Sequence, residues 1–166
     1  METGSVAAPT ASLHFSKEDL AELQKLGVIV TSLCLHVGLG TFLPIHAGEL
    51  NDHVMHSEWV SIPEETLDVV MEAKTKKNRV WALGTTVARA LESWQQGYFE
   101  RFEEELKGDT DLFIQPGYEF KVVDVLMTNF HQPESTLLAL VGAFAGLETT
   151  LSCYKWAVEK EFRLFS

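Results

Sequence analysis

Apolar residues recur along this chain at two spacings, and their alternation predicts a succession of strands and helices. Ser16 and Asp19 have the form of a capping box, and Leu20, Leu23 and Leu26 repeat at helical spacing until Gly27 ends the run. Residues 28–37 are apolar and rich in β-branched side chains, which predicts a strand. A loop containing Gly and Pro runs from Gly38 to about Asp52. Residues 57–62 predict a short strand. Ser61 with Glu64 predicts the cap of a second helix, which carries Leu67, Val70 and Met71 on one face.

Residues 79–83 predict another strand, ending at Gly84-Thr85-Thr86. Val87, Leu91, Trp94 and Tyr98 then follow steps of four, three and four, as a helix would, before Gly97 and Glu103-Glu104-Glu105 break the pattern. Residues 112–114 and 120–128 read as strands on either side of Pro116-Gly117. Residues 135–145 are apolar almost all round, the mark of a buried helix, and Gly146 punctuates them. A last helix over 148–160 carries Leu151, Tyr154 and Val158 on one face, and residues 162–166 resemble a strand that has just begun. No internal repeat is present. The alternation predicts an α/β fold with a largely parallel or mixed sheet, open or as an incomplete barrel.

At 166 residues, 46% apolar and 22% charged, the composition is that of one globular domain. No apolar run reaches the ~18–20 residues that span a bilayer, and the N-terminus lacks the basic and apolar regions of a secretory signal. Thirteen Lys and Arg against 24 Asp and Glu give a net charge of −11, which argues against a general polyanion binder but leaves room for a local basic groove. Cys34 and Cys153 have no metal-type spacing and read as two reduced, mostly buried thiols. The expectation is an acidic cytoplasmic protein that does not enter a membrane.

Ligands of parallel α/β folds bind beyond the carboxyl ends of the strands. Three expected strands end in polar clusters: His36, Gly38, Gly40 and Thr41; then Gly84-Thr85-Thr86, leading to Arg89 and Glu92; then Thr128, Asn129 and His131 after Asp124. Each has a plainer alternative. Gly38 and Gly40 would serve a positive φ in a turn, Gly84-Thr85-Thr86 a helix cap, and Arg89 with Glu92 a surface ion pair. His131 would be a loop histidine satisfied by backbone. Asp124 inside an apolar strand needs a partner or a function. His53, His56 and Glu58 form a further polar segment, either a hydrogen-bonding surface or, with Asp124, the ligands of a metal-dependent hydrolase.

These segments carry a resemblance. Val6-Ala-Ala-Pro-Thr-Ala-Ser-Leu-His-Phe15, Leu35-His-Val-Gly-Leu-Gly-Thr-Phe42, His53-Val-Met-His-Ser-Glu58 and Gly84-Thr-Thr-Val-Ala-Arg-Ala-Leu-Glu-Ser93 resemble motifs of the S-adenosylmethionine:tRNA ribosyltransferase-isomerase family. So does Pro116-Gly-Tyr-Glu-Phe-Lys-Val-Val-Asp124, continuing through Thr128-Asn-Phe-His131 and Ser135-Thr-Leu137 to Ala143-Phe-Ala-Gly146. The chain departs from the family's usual residues at Ser12, Gln132 and Val87-Ala88. The family's enzymes are longer and include a β-barrel-type second domain. The resemblance therefore implies that residues 1–166 are part of the α/β catalytic domain, with little turnover alone and possible self-association.

The resemblance implies a late step of queuosine biosynthesis. The ribosyl unit of S-adenosylmethionine moves onto 7-aminomethyl-7-deazaguanine in the tRNA wobble position, epoxyqueuosine forms, and adenine and methionine leave. S-adenosylmethionine is substrate, and no metal or redox cofactor is expected, because the sulfonium activates the adjoining 5′-carbon. The catalytic expectation falls on His131 as base, Asp124 orienting or charging that corner, and Glu58. Arg89 and the Thr85-Thr86 amides would hold a carboxylate or phosphate, while Glu58 and Glu92 suit ribose hydroxyls or the substrate amine. His36, His53 and His56 would contact substrate without an assigned role, as would Gly38, Gly40, Thr41, Thr128 and Asn129. A non-catalytic binding module is the remaining alternative.

Overall fold

The computed structural model describes residue 8, residues 10–36, residue 38 and residues 55–165. Gly40, Thr41 and His53, expected in the site, lie outside them. The fold is mixed α/β. A four-stranded antiparallel sheet runs in the order β1 (Cys34–His36), β2 (Glu58–Pro63), β5 (Glu105–Thr110) and β4 (Glu100–Phe102). A separate parallel pair joins β3 (Trp81–Leu83) to β6 (Val125–Met127), and no closed barrel forms among the described residues. Of the two sheet arrangements expected, the mixed one is found.

Helix α3 (Thr85–Gln95) lies between the sheets and supplies both with core. Its Ala88 and Leu91 pack with Val80, Ala82, Val122, Val123 and Val70 of α2 (Glu64–Thr75). Its Ala90 packs instead with Val60 and Ile62 of β2, Leu67 and Phe99. A third cluster joins Leu112 and Ile114 to Leu140 of α4 (Thr136–Ala145). Small alanines on α3 let both sheets approach the one helix, where burying each apolar side chain contributes roughly 1–3 kcal/mol.

The expected elements form with instructive differences. At α1 (Lys17–Lys25) the capping box is complete: the Ser16 amide donates to Asp19 Oδ2 at 2.8 Å and the Asp19 amide to Ser16 Oγ at 3.1 Å. The box expected at Ser61 does not form. Ser61 lies within β2, where its hydroxyl donates to Glu105 across the ladder at 2.8 Å. The Glu64 amide instead finds the Glu104 carbonyl at 2.8 Å, and Arg101 pairs with Glu64, so the β4–β5 turn caps α2. That hairpin was not legible, because Glu103 turns it with a φ of +55°, a conformation no glycine announced.

The long strand expected over 28–37 pairs only at Cys34–His36, and residues 112–114 and 120–124 join no ladder among the described residues. Neither do residues 162–165. Helix α5 (Leu147–Glu159) leaves Leu151 and Val158 exposed and buries Thr150 and Ala157 instead. Cys34 and Cys153 are both exposed, not buried as their type suggests. No single helix among the described residues is long and apolar enough to cross a membrane.

Candidate active site

β3 and β6 run parallel and end together at Leu83 and Met127, where the Gly84 amide donates to the Met127 carbonyl at 2.8 Å. Gly84 has a φ of +105°, a conformation that suits glycine and lets α3 begin at once. No side chain caps that helix, so its first-turn amides carry the positive end of the dipole at the carboxyl end of the pair. Thr85 and Thr86 open α3, and Arg89 follows one turn later. All three line a narrow cleft whose facing wall includes Thr136 and Leu137 of α4.

Arg89 is buried and forms an ion pair with Glu58, itself buried at the start of β2. Burial draws the Arg89 pKa down to about 10, still high enough to keep the guanidinium charged at neutral pH. This pairing replaces the surface ion pair that the Arg89–Glu92 spacing suggested. It also gives the Glu58 carboxylate a guanidinium partner inside the molecule. His56 is exposed while Glu58 is buried, so the two do not share a surroundings. Among the described residues no three His, Cys, Asp or Glu side chains gather as metal ligands would.

Beyond β6 the chain carries Thr128, Asn129 and His131 to the same end of the parallel pair. Thr128 Oγ1 lies 3.1 Å from His131 Nε2, the His131 amide donates to the Tyr154 hydroxyl at 2.7 Å, and the Phe130 and Tyr154 rings meet edge to face. Burial lowers the His131 pKa to about 4, so the imidazole is neutral at neutral pH. Its titration therefore sits well below the working range that an unperturbed histidine would occupy. Asn129 is spent on the N-terminal segment: its amide donates to Thr10 at 3.0 Å and its carbonyl lies 2.8 Å from His14 Nε2. These bonds lay residues 10–14 over the carboxyl end of the pair.

Two expected site residues are held elsewhere. Asp124 precedes β6 and His131 follows it, so the strand separates them rather than bringing them together. Asp124 accepts from the Val80 amide and from Lys74, each at 2.8 Å. Partial burial pushes its pKa up, but these hydrogen bonds and the charges of Lys74 and Arg79 outweigh that and hold it below its ordinary value. Glu92 is fully buried, and its Oε1 accepts from the amides of Val122 and Val123 at 3.0 and 2.9 Å. Its Oε2 accepts from the Lys121 amide and the Tyr118 hydroxyl at 3.0 and 3.1 Å. Glu92 supplies the acceptors that a loop outside any ladder needs. It braces the fold, and no lone pair is left over for a ribose.

His36 sits on β1 with its ring edge-on to Trp59 at 4.7 Å. Gly38 does not adopt a positive φ, and no described residue lies within 4 Å of where its Cβ would stand. Neither lines the cleft.

Across all 166 residues the chain matches the model of the queuosine biosynthesis protein family. It belongs to that family. Its structure also matches the crystal structure of an S-adenosylmethionine tRNA ribosyltransferase from Thermotoga maritima, with 40% sequence identity and a TM-score of 0.75. The match covers 94% of this chain and 48% of that one, so the chain spans about half the length of its structural relative. Within this queuosine-family chain, sequence reasoning passed over Tyr154, Thr136, Thr10 and His14. Thr136 had one legible signal: it opens a second helix N-terminus directly after the Ser135 cap.

Proposed function

We propose that this chain carries part of the active site of an S-adenosylmethionine-dependent tRNA ribosyltransferase-isomerase. In this reading the ribosyl unit of S-adenosylmethionine moves onto 7-aminomethyl-7-deazaguanine of a cytoplasmic tRNA, giving epoxyqueuosine and releasing adenine and methionine. The observation that carries the proposal is the 40% identity to a protein of that transferase class over 94% of the chain. The carboxyl end of the β3–β6 pair supports it, because polar groups from three segments meet there.

The positive sulfur of the substrate acidifies its 5′-carbon, so the reaction needs a neutral base, an anchor for the aminoacyl end and shelter from water, and no metal. His131 is neutral, as a base must be, and is held by Thr128, although the burial that keeps it neutral also makes it a weaker base than an exposed imidazole. The Glu58–Arg89 pair fixes the start of α3 relative to β2. Helix α3 in turn presents its uncapped amides to an anionic group.

Adenine release from S-adenosylmethionine and precursor-bearing tRNA tests the reading. The chain alone should release little. A chimera in which it replaces the matching part of the Thermotoga maritima protein should release adenine, with or without chelator. A folded chimera that releases none would overturn the proposal, and activity lost with chelation would return the metal-dependent alternative.

A further inference from the structure

Two helices point their N-termini into one cleft. Thr85 and Thr86 open α3, and Thr136 and Leu137 open α4 on the other wall. At α4 the Ser135 hydroxyl accepts from the Leu138 amide, which leaves the amides of Thr136 and Leu137 without an intrahelical acceptor. The Thr136 side chain is buried, 6% exposed, yet its hydroxyl has no hydrogen-bond partner among the described residues. Arg89, 3% exposed, lines the same cleft with its Nε–H also unpartnered. Buried donors left open in this way are costly, and they persist where a ligand completes them.

Among the described residues every polar side chain at this place can donate and no carboxylate lines the cleft, a setting that favours an anion. The remaining walls are apolar: Met55, Leu112, Phe113, Ile114, Leu137 and Leu140. Such walls suit the short aliphatic arm that joins a sulfonium to an α-carboxylate. They do not suit a phosphodiester, which keeps charge and water along its whole length. We infer that Thr136, with Arg89 and the first turns of α3 and α4, binds the α-carboxylate of the methionine arm of S-adenosylmethionine. The inference rests on the reading above that S-adenosylmethionine is the substrate. It adds a residue and separates the carboxylate anchor from the base at His131.

Calorimetric binding of S-adenosylmethionine to the full chain tests it, with Thr136→Val as the variant that removes the hydroxyl and keeps the shape. Because that hydroxyl has no partner among the described residues, Thr136→Val should melt at or above the parent temperature. It should nonetheless bind S-adenosylmethionine roughly tenfold more weakly, the loss expected for one charge-assisted hydrogen bond. Decarboxylated S-adenosylmethionine should bind parent and variant alike. Thr136→Ser, which keeps the hydroxyl, should bind within about twofold of the parent on the same hydrogen-bond argument. Unchanged S-adenosylmethionine affinity in Thr136→Val, or equal weakening in Thr136→Ser, would overturn the inference. So would a loss of affinity confined to inorganic phosphate or tRNA, which would make the anion a phosphate. A folded chimera of the kind described above that binds no S-adenosylmethionine would overturn the substrate reading and this subsite with it.

Discussion

At the amino end of β6, Asp124 ties down the Val80 amide and Lys74, and Glu92 collects three amides and a phenol from residues 118–123. At the carboxyl end stand an imidazole kept neutral by burial, a helix start without a cap, and buried donors with no acceptor among the described residues. Both ends concentrate polar side chains in an apolar setting. One end spends them on the chain itself, and the other leaves them open. A polar residue's type is thus a poor guide to its role, and the closure of its hydrogen bonds is a better one.

That contrast can be broken most forcefully at His131. In an enzyme carrying this segment, His131→Gln should lower turnover by roughly 10²–10⁴-fold while S-adenosylmethionine binding changes little. The acid limb of kcat/KM should fall near pH 4, because the rate declines only once the buried imidazole takes a proton. The same burial makes the folded chain bind that proton less readily than the unfolded one. Stability should therefore drop, by up to about 3 kcal/mol, as pH falls from about 6.5 to 4, and His131→Gln should remove that part of the slope. A limb at pH 6.5, or normal turnover in a folded variant, would take His131 out of the site.

Next in size is the Glu58–Arg89 pair, which joins the open end to β2. Arg89→Met leaves a buried carboxylate alone and should cost about 3–5 kcal/mol in urea unfolding. Adding Glu58→Gln should recover most of this stability without restoring S-adenosylmethionine affinity. Recovery of both would make the pair purely structural.

At the closed end, Glu92→Ala should cost about 3 kcal/mol or more, since four donors, among them the buried Val122 and Val123 amides, lose their acceptor. A stable Glu92→Ala protein with impaired substrate binding would reverse the assignment. The smallest effect belongs to Asp124→Asn. Its ion pair with Lys74 is partly solvent-screened, so the loss should stay under about 1 kcal/mol, with the pH limb of kcat/KM unmoved. A shifted limb would show that Asp124 reaches His131 after all.

What the sequence determined by itself was local or carried by resemblance. The Ser16–Asp19 box and the helix that follows Gly84 depend on neighbours three or four residues apart, so their residues announce them. The family was readable from ordered motifs, and the chain matches that family throughout. What tertiary structure alone decided were partnerships between distant residues. Arg89 lies three positions from Glu92 and thirty-one from Glu58, yet burial against β2 selects Glu58. Ser61 caps nothing because the ladder to β5 takes its hydroxyl, and the turn of that hairpin caps α2 instead. Asp124 and His131 are seven apart in sequence and fall beyond opposite ends of one strand. Spacing along the chain says which groups can meet within a turn of helix. Which buried donor finds which acceptor is settled only when separate elements pack, because the cost of an unpaired polar group is felt where water has been excluded.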